Sequence, residues 1–244
     1  MAHALGVERD TLLLVRLDDP APALFDALLA RRLSCEPVAY ITGRRAFWTI
    51  ELEVGPGVLI PRPDSETLIE AALHHFGTAC PARILDLGTG PGTLLLAALA
   101  EWPESIGHGR DSSEQALAYA RRNAERLGLE GRASFSRGDW AEGLTGPFDL
   151  ILCNPPYVET EADLSAQVAR YEPAGALYAG PEGLDDYRRL APFLPRLLAL
   201  DGIACIEIGH TQADAAGALF AAQGFTVRLR NDLAGRPRCL LLRH

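Results

Sequence analysis

Two short segments carry residue types that could do chemistry. Asn154-Pro155-Pro156-Tyr157 follows the apolar run FDLILC at 148–153. Two consecutive prolines remove two N–H donors and stiffen the corner. The Pro155 carbonyl is then freed from ladder bonding, and the Asn154 side chain offers a second carbonyl. Two rigid acceptors suit the two hydrogens of a planar –NH2 group, with Tyr157 as a flat wall beside it. The other segment is Asp86-Leu87-Gly88-Thr89-Gly90-Pro91-Gly92. Its glycines let the backbone turn sharply and approach a ligand closely. Thr93 stands where a dinucleotide G-x-G-x-x-G loop would end, so the loop is a different one. Asp111 lies 19 residues beyond Gly92 (111 − 92). A carboxylate there can accept both hydroxyls of a ribose.

The elements that must position these residues alternate from residue 83 onward. Strands are predicted over 83–87, 104–110, 133–137, 148–153, 202–208, 225–230 and 238–242. Helices are predicted over 92–101, 113–127, 184–200 and 212–223. This alternation implies a mostly parallel sheet with helices on both faces, closed by an antiparallel hairpin. The glycine loop and Asn154 then fall at carboxyl ends of strands, where such sheets bind ligands. Upstream, 23–33 has helical spacing of apolar residues. Phe47–Val54 and Val58–Ile60 read as two strands around Gly55-Pro56-Gly57. Asp64 or Ser65 can cap a helix reaching His75.

The G-x-G-x-G loop, the acid after the second strand and N-P-P-Y together resemble S-adenosylmethionine-dependent methyltransferases that modify planar amino groups. N-P-P-Y is shared by adenine-N6 DNA methyltransferases and protein glutamine-N5 methyltransferases. Ile60-Pro61-Arg62-Pro63-Asp64-Ser65-Glu66 resembles the "IPRPDTE" signature of the release factor glutamine methyltransferases. The likeness extends through Arg121-Arg122-Asn123-Ala124, Gly138-Asp139-Trp140, Tyr171-Glu172-Pro173, Glu207-Ile208-Gly209-His210 and the segment 232–237.

The resemblance implies a Rossmann-like α/β domain of the class I methyltransferase type, with a mostly parallel seven-stranded sheet. It implies a short helical domain over 1–37, a β-hairpin linker over 38–62 and the methyltransferase domain over 63–244. The family usually carries a longer N-terminal helical domain, so segment 1–37 is expected to be a shortened one. S-adenosylmethionine is the implied cofactor. Gly88, Thr89, Gly90, Pro91 and Gly92 would line its methionine part, Asp111 its ribose, and Trp140 with Asp139 its adenine; Asn154 would touch cofactor and substrate. Asn154, Pro155 and Tyr157 are the expected catalytic residues. Pro156, Arg62 and Glu66 would join them in holding the substrate, a glutamine in the G-G-Q motif of a release factor. Another protein glutamine, a nucleic-acid adenine, or a cofactor-binding relative of low activity are the alternatives. Glu207 and His210 read as the end of a core strand near the pocket rather than as an acid–base pair. Three positions depart from the family pattern. Pro91 removes an N–H in the loop, and His108 and Arg110 place polar groups in a strand where they need partners if buried.

Composition narrows the chemistry. All 23 basic residues are arginine, which excludes Schiff-base lysine chemistry and the Walker A loop. The net charge of −9 disfavours general nucleic-acid binding. The five cysteines show no C-x-x-C spacing and read as buried thiols of a reducing compartment. The histidines show no chelating spacing, so no metal is expected. No apolar run is long enough to span a membrane. A cytoplasmic monomer is the expectation.

Overall fold

The computed structural model describes residues 1–244. Its strands are β1 (Arg44–Phe47), β2 (Ile50–Glu53), β3 (Arg83–Leu87), β4 (Ile106–Asp111), β5 (Ala133–Arg137), β6 (Phe148–Cys153), β7 (Leu198–Glu207), β8 (Thr226–Asn231) and β9 (Pro237–Arg243). β1 and β2 pair as a separate antiparallel hairpin. The other seven form one sheet in the order β5-β4-β3-β6-β7-β9-β8. β9 runs antiparallel to both its neighbours, and the remaining pairs are parallel. The fold is therefore α/β with a mostly parallel seven-stranded sheet, as the alternation predicts.

Register puts the site residues in one row. Leu87 lies opposite Arg110 on one side and Cys153 on the other, and Cys153 lies opposite Ile206. One step further along each strand come Gly88, Asp111, Asn154 and Glu207. The chain leaves β3 toward β4 on one side and later returns to β6 on the other, so this row marks the switch point of the sheet. Alternation along a strand sends Leu150, Leu152 and Asn154 to one face, and Cys205 and Glu207 to the same face. The helix Glu66–Phe76 covers that face, with Thr67, Leu68, Ile69, Ala71 and Ala72 buried.

Helix Thr93–Glu101 buries every residue from Leu94 to Leu99. It is apolar all round because it lies between the sheet and β2. Helix Glu114–Arg126 is amphipathic instead, and the Ser113 hydroxyl caps it by accepting the Ala116 N–H at 3.2 Å. Such a cap contributes about 1 kcal/mol. The N-terminal helices Ala2–Leu5, Arg9–Val15 and Leu24–Leu33 contain no buried residue. Tyr171 ties the last of them to the body by donating its hydroxyl to the Ser34 carbonyl at 2.9 Å. No helix is long and apolar enough to cross a membrane.

Three expectations are corrected. The hairpin turns at Trp48-Thr49, with Phe47 opposite Ile50, not at Gly55-Pro56-Gly57. Two-residue hairpin turns usually announce themselves with Asn or Gly. Here Trp48 adopts φ 54° and is held from outside, its N–H donating to Glu66 at 2.9 Å. Val58 and Ile60 are buried but form no strand. The long helix expected over 184–200 is broken into Asp185–Leu190, a 3-10 turn at Ala191–Phe193 and Leu194–Leu197. Pro192 and Pro195 remove the N–H groups that a continuous helix needs, and β7 begins at Leu198. Finally, Cys35 is half-buried and Cys80 exposed, while Cys153, Cys205 and Cys239 are buried thiols.

Candidate active site

The glycine loop closes over the row of strand ends. Gly88, Gly90 and Gly92 have φ of 71°, 56° and 86°, the left-handed region where a side chain is strained. Asp111 fastens the loop: its Oδ2 accepts the Gly90 N–H at 2.8 Å and its Oδ1 accepts the Ser113 N–H at 2.8 Å. Each carboxylate oxygen keeps a lone pair for a further donor. Burial raises the Asp111 pKa, and the N–H groups of Ser113 and Gly90 pull it back. Asn123, fully buried, braces the loop from behind. Its amide donates to the carbonyls of Pro91 and Glu53 at 2.9 and 3.0 Å, and its Oδ1 accepts the Glu53 N–H at 2.6 Å.

A cavity of about 400 Å³ opens in front of this loop. Gly88, Asp111, Trp140, Asn154 and Pro156 line it. Trp140 takes φ 40° and donates its ring N–H to Asp186 at 3.1 Å. A Cβ on Gly88 would stand 3.3 Å from the Trp140 ring, a tight approach, and 3.9 Å from the Asn154 backbone carbonyl, an ordinary contact. A narrower pocket continues past Asn154 between Arg62, Ser65, Asp86 and Pro91. Asp86 accepts from Thr89 at 2.7 Å and from the Leu95 N–H at 3.1 Å through Oδ2 alone. Its buried Oδ1 has no partner. Burial raises the Asp86 pKa to about 7. An unpartnered buried carboxylate oxygen, a ribose-type carboxylate and a ring beside a bare glycine fit a ligand with a cationic end and a nucleoside end.

The other side of the cavity is made of side chains. Asn154 donates Nδ2–H to the Ser65 hydroxyl at 3.1 Å. Neither its Oδ1 nor the Pro155 carbonyl accepts a hydrogen bond from the protein. Tyr157 donates its hydroxyl to Glu207 Oε1 at 3.2 Å. Burial raises the pKa of this phenol, and the Glu207 charge raises it further. Glu172, fully buried, accepts the Ile60 N–H at 3.0 Å and Arg62 at 2.6 Å. Together with Tyr40, which donates to the Val58 carbonyl at 2.6 Å, it holds segment 58–62 across the cavity mouth.

The expected residues are not all equally placed. Gly88, Gly90, Asp111, Asp139, Trp140, Asn154 and Pro156 line the main cavity. Thr89, Pro91 and Arg62 line the narrower pocket. Gly92 sits at the head of helix Thr93–Glu101, against Leu96. Pro155 is buried and Tyr157 half-buried, and neither lines these cavities. Asp139 is paired with Arg189, which reaches both its oxygens at 2.6 Å. Glu66 lies apart, with its carboxylate on the hairpin turn at Trp48. His210 is exposed. The polar pair in β4 has partners: His108 meets the Ser134 and Ser136 hydroxyls at 2.9 and 2.8 Å, and Arg110 donates to Ser136 at 3.0 Å. Sequence reasoning gave no role to Asn123 or Glu172, offered Ser65 as a cap of the helix to His75, a cap bond that its side chain does not make, and read Glu207 as the end of a core strand. The one cue for Glu207 was a lone carboxylate closing an apolar strand.

Comparison with known proteins gives this geometry a family. Residues 64–171 match the methyltransferase small domain model, and residues 1–43 match the PrmC N-terminal domain model. The release factor glutamine methyltransferase of Rhodospirillum rubrum is 47% identical, covering 99% of this chain and 76% of that protein. The protein of the same name from Caulobacter vibrioides is 45% identical over 90% of this chain and 77% of its own length. That from Cereibacter sphaeroides is 41% identical over 100% and 88%. Among solved structures, a methyltransferase from Pyrococcus furiosus superposes with a TM-score of 0.62 at 19% identity, covering 89% of this chain and 98% of that one. The 16S rRNA N2 G1207 methyltransferase of T. thermophilus, solved with AdoMet and guanosine, gives 0.57 at 18% identity over 82% and 49%. These structures share the fold; the sequence relatives share more, and on their evidence the chain belongs to the release factor glutamine methyltransferase family.

Proposed function

We propose that this protein transfers the methyl group of S-adenosylmethionine to the side-chain amide nitrogen (N5) of the glutamine in the G-G-Q motif of a peptide chain release factor. The observation that carries the reading is the pair of unused acceptors at the carboxyl end of β6, Asn154 Oδ1 and the Pro155 carbonyl. Asn154 stands where the main cavity meets the narrower pocket. Bound there, the cofactor supplies an electrophilic methyl on a sulfonium. An amide nitrogen is a poor nucleophile, because its lone pair is delocalised. Orientation is therefore the chain's main contribution, and it can supply roughly 7–11 kcal/mol of a barrier. Two acceptors on the two amide hydrogens fix the nitrogen and favour the positive charge that develops on it. The nitrogen would gain the methyl as the sulfonium's carbon–sulfur bond breaks, leaving a neutral thioether, and would lose one proton to solvent.

On the cofactor side, Asp111 would take the ribose, Trp140 the adenine, and the Gly88–Gly92 loop with Asp86 the cationic end. The prolyl corner would hold the carboxamide, and Arg62 would shape the pocket through Glu172. The division into a helical segment 1–37, a linker 38–62 and a methyltransferase domain 63–244 belongs to this reading. So does action as a cytoplasmic monomer without direct nucleic-acid binding. Incubation with labelled cofactor and purified release factor, followed by mass spectrometry of the G-G-Q peptide, tests it. One methyl on the glutamine is expected. An unmodified glutamine, with label on DNA or a ribosomal protein, would overturn it.

A further inference from the structure

Glu207 is a carboxylate with no exposed surface that lies beside the acceptor residues and off the cavity lining. Both ends of the N-P-P-Y turn lead to it. The Tyr157 hydroxyl donates to Oε1 at 3.2 Å. The Ser65 hydroxyl is near enough to the same carboxylate to favour its charged form, yet no hydrogen bond joins the two and the buried Oε2 is left without a partner. Ser65 in turn receives the Asn154 amide at 3.1 Å. β6 and β7 bring Asn154 and Glu207 level on one face, and Ser65 comes from the start of the helix that covers it.

This arrangement decides which atom Asn154 shows the acceptor. A serine hydroxyl has one proton and two lone pairs. An anionic carboxylate beside it draws the proton, which leaves only lone pairs for Asn154. The asparagine must then turn its NH2 to Ser65 and its carbonyl to the cavity. Without the anion, Ser65 is free to donate to Oδ1. The asparagine amide then loses its preference, and its NH2 opposes the NH2 of the acceptor.

We propose that Glu207 is a positioning residue for methyl transfer, fixing the Asn154 carbonyl toward the acceptor amide through Ser65 and holding the Tyr157 ring directly. This rests on the functional reading above. The charged and titratable groups that face Glu207 come from several elements. They are Arg238 on β9, which pairs with Asp64 at 3.2 Å and Asp232 at 3.4 Å, together with Tyr157, Cys153, Cys239 and Asp64 itself. Tyr187 donates to the Glu207 backbone carbonyl at 3.0 Å. Burial raises the Glu207 pKa to about 7, against the pull of Ser65, Arg238 and Tyr157. Its ionisation therefore turns over near neutral pH, and the orienting effect turns over with it.

The test is Glu207→Gln, which keeps the shape and removes the charge. Cofactor affinity is expected to stay level and kcat to fall on the order of tenfold, the scale of one lost hydrogen bond. The wild-type rise in kcat from about pH 6 to 8 should flatten, since the pKa near 7 is gone. Ser65→Ala should fall similarly, Ser65→Thr should recover most of that loss, and the double variant Ser65→Ala/Glu207→Gln should be no worse than Ser65→Ala. A second readout needs no turnover. The chain has three asparagines, Asn123, Asn154 and Asn231. With asparagine-selective 15N labelling, the side-chain pair lost in Asn154→Ala identifies Asn154. In the cofactor-free wild type that pair should shift with a midpoint near pH 7, and in Glu207→Gln it should not. Glu207→Gln with wild-type kcat and pH profile, or an Asn154 amide unmoved between about pH 6 and 8, overturns the proposal. If the wild type leaves the release factor unmodified, the functional reading falls, and the amide titration still decides whether Glu207 orients Asn154.

Discussion

The two sides of the cavity are held rigid by different means. The side proposed for the cofactor is mostly backbone: three glycines at positive φ, two N–H groups on Asp111, and Asn123 gripping the Pro91 and Glu53 carbonyls. The side proposed for the acceptor is side chain on side chain: Asn154 on Ser65, Tyr157 on Glu207, Arg62 on Glu172. The glycine turn itself depends on residues adjacent in sequence, and two distant side chains, Asp111 and Asn123, tie it down. A side-chain network joins residues from four separate segments, and removing one member leaves another without a partner. Defects on the cofactor side should appear in cofactor affinity, and those on the acceptor side in turnover and its pH dependence.

The largest effect expected of this division is at Asn154. Asn154→Ala should lower kcat by about 100-fold or more, the scale of losing one preorganised polar contact. Calorimetry should find cofactor binding little changed. Near-normal turnover would remove Asn154 from the mechanism and erase the distinction. Next comes the pH dependence of stability. Glu207 and Asp86 both have pKa values raised to about 7, from 4.5 and 3.8. A raised carboxyl pKa favours folding while the group is protonated, and that contribution is lost as pH rises through the folded-state value. Urea unfolding of the wild type should show stability falling between about pH 5 and 8. Glu207→Gln should remove on the order of 2–3 kcal/mol of that fall. An unchanged slope would mean the carboxyl titrates as it does in the unfolded chain. Gly88→Ala sharpens the contrast from the other side. Its φ of 71° and its nearness to Trp140 should weaken cofactor binding by about tenfold, with kcat at saturation nearly kept. A loss confined to kcat would show that the two sides are not separable. The smallest effect expected is Glu172→Gln, which keeps the Ile60 contact and loses the charge facing Arg62. It should cost about 1 kcal/mol in urea unfolding and raise KM for the protein substrate more than KM for the cofactor.

The same division explains what was legible in the sequence. The glycine loop could be read because positive φ demands glycine, and its position after β3 was plain from RILDL. Asp111 could be read from its place at a strand end, and Asn154 from the prolines beside it. The register that aligns Gly88, Asp111, Asn154 and Glu207 follows from strand alternation once the sheet order is granted. Ser65, Asn154 and Glu207 could not be joined by reading, because 89 residues separate the first pair (154 − 65) and 53 the last (207 − 154). Glu66 looked like a substrate residue by its neighbourhood in the signature, yet its carboxylate closes the turn at Trp48. That turn was itself hidden, since Trp48-Thr49 carries no turn residue and is stabilised from a distant helix. His108 looked misplaced until Ser134 and Ser136, alternating along β5, supplied its partners.

The central claim is that the prolyl corner presents paired acceptors to a flat carboxamide opposite the methyl donor. A crystal structure with S-adenosylhomocysteine and a G-G-Q peptide tests it most directly. The glutamine nitrogen should lie within about 3 Å of both Asn154 Oδ1 and the Pro155 carbonyl and face the cofactor sulfur. A peptide seated elsewhere, or a carboxamide held by other groups with Asn154 turned away, would contradict it.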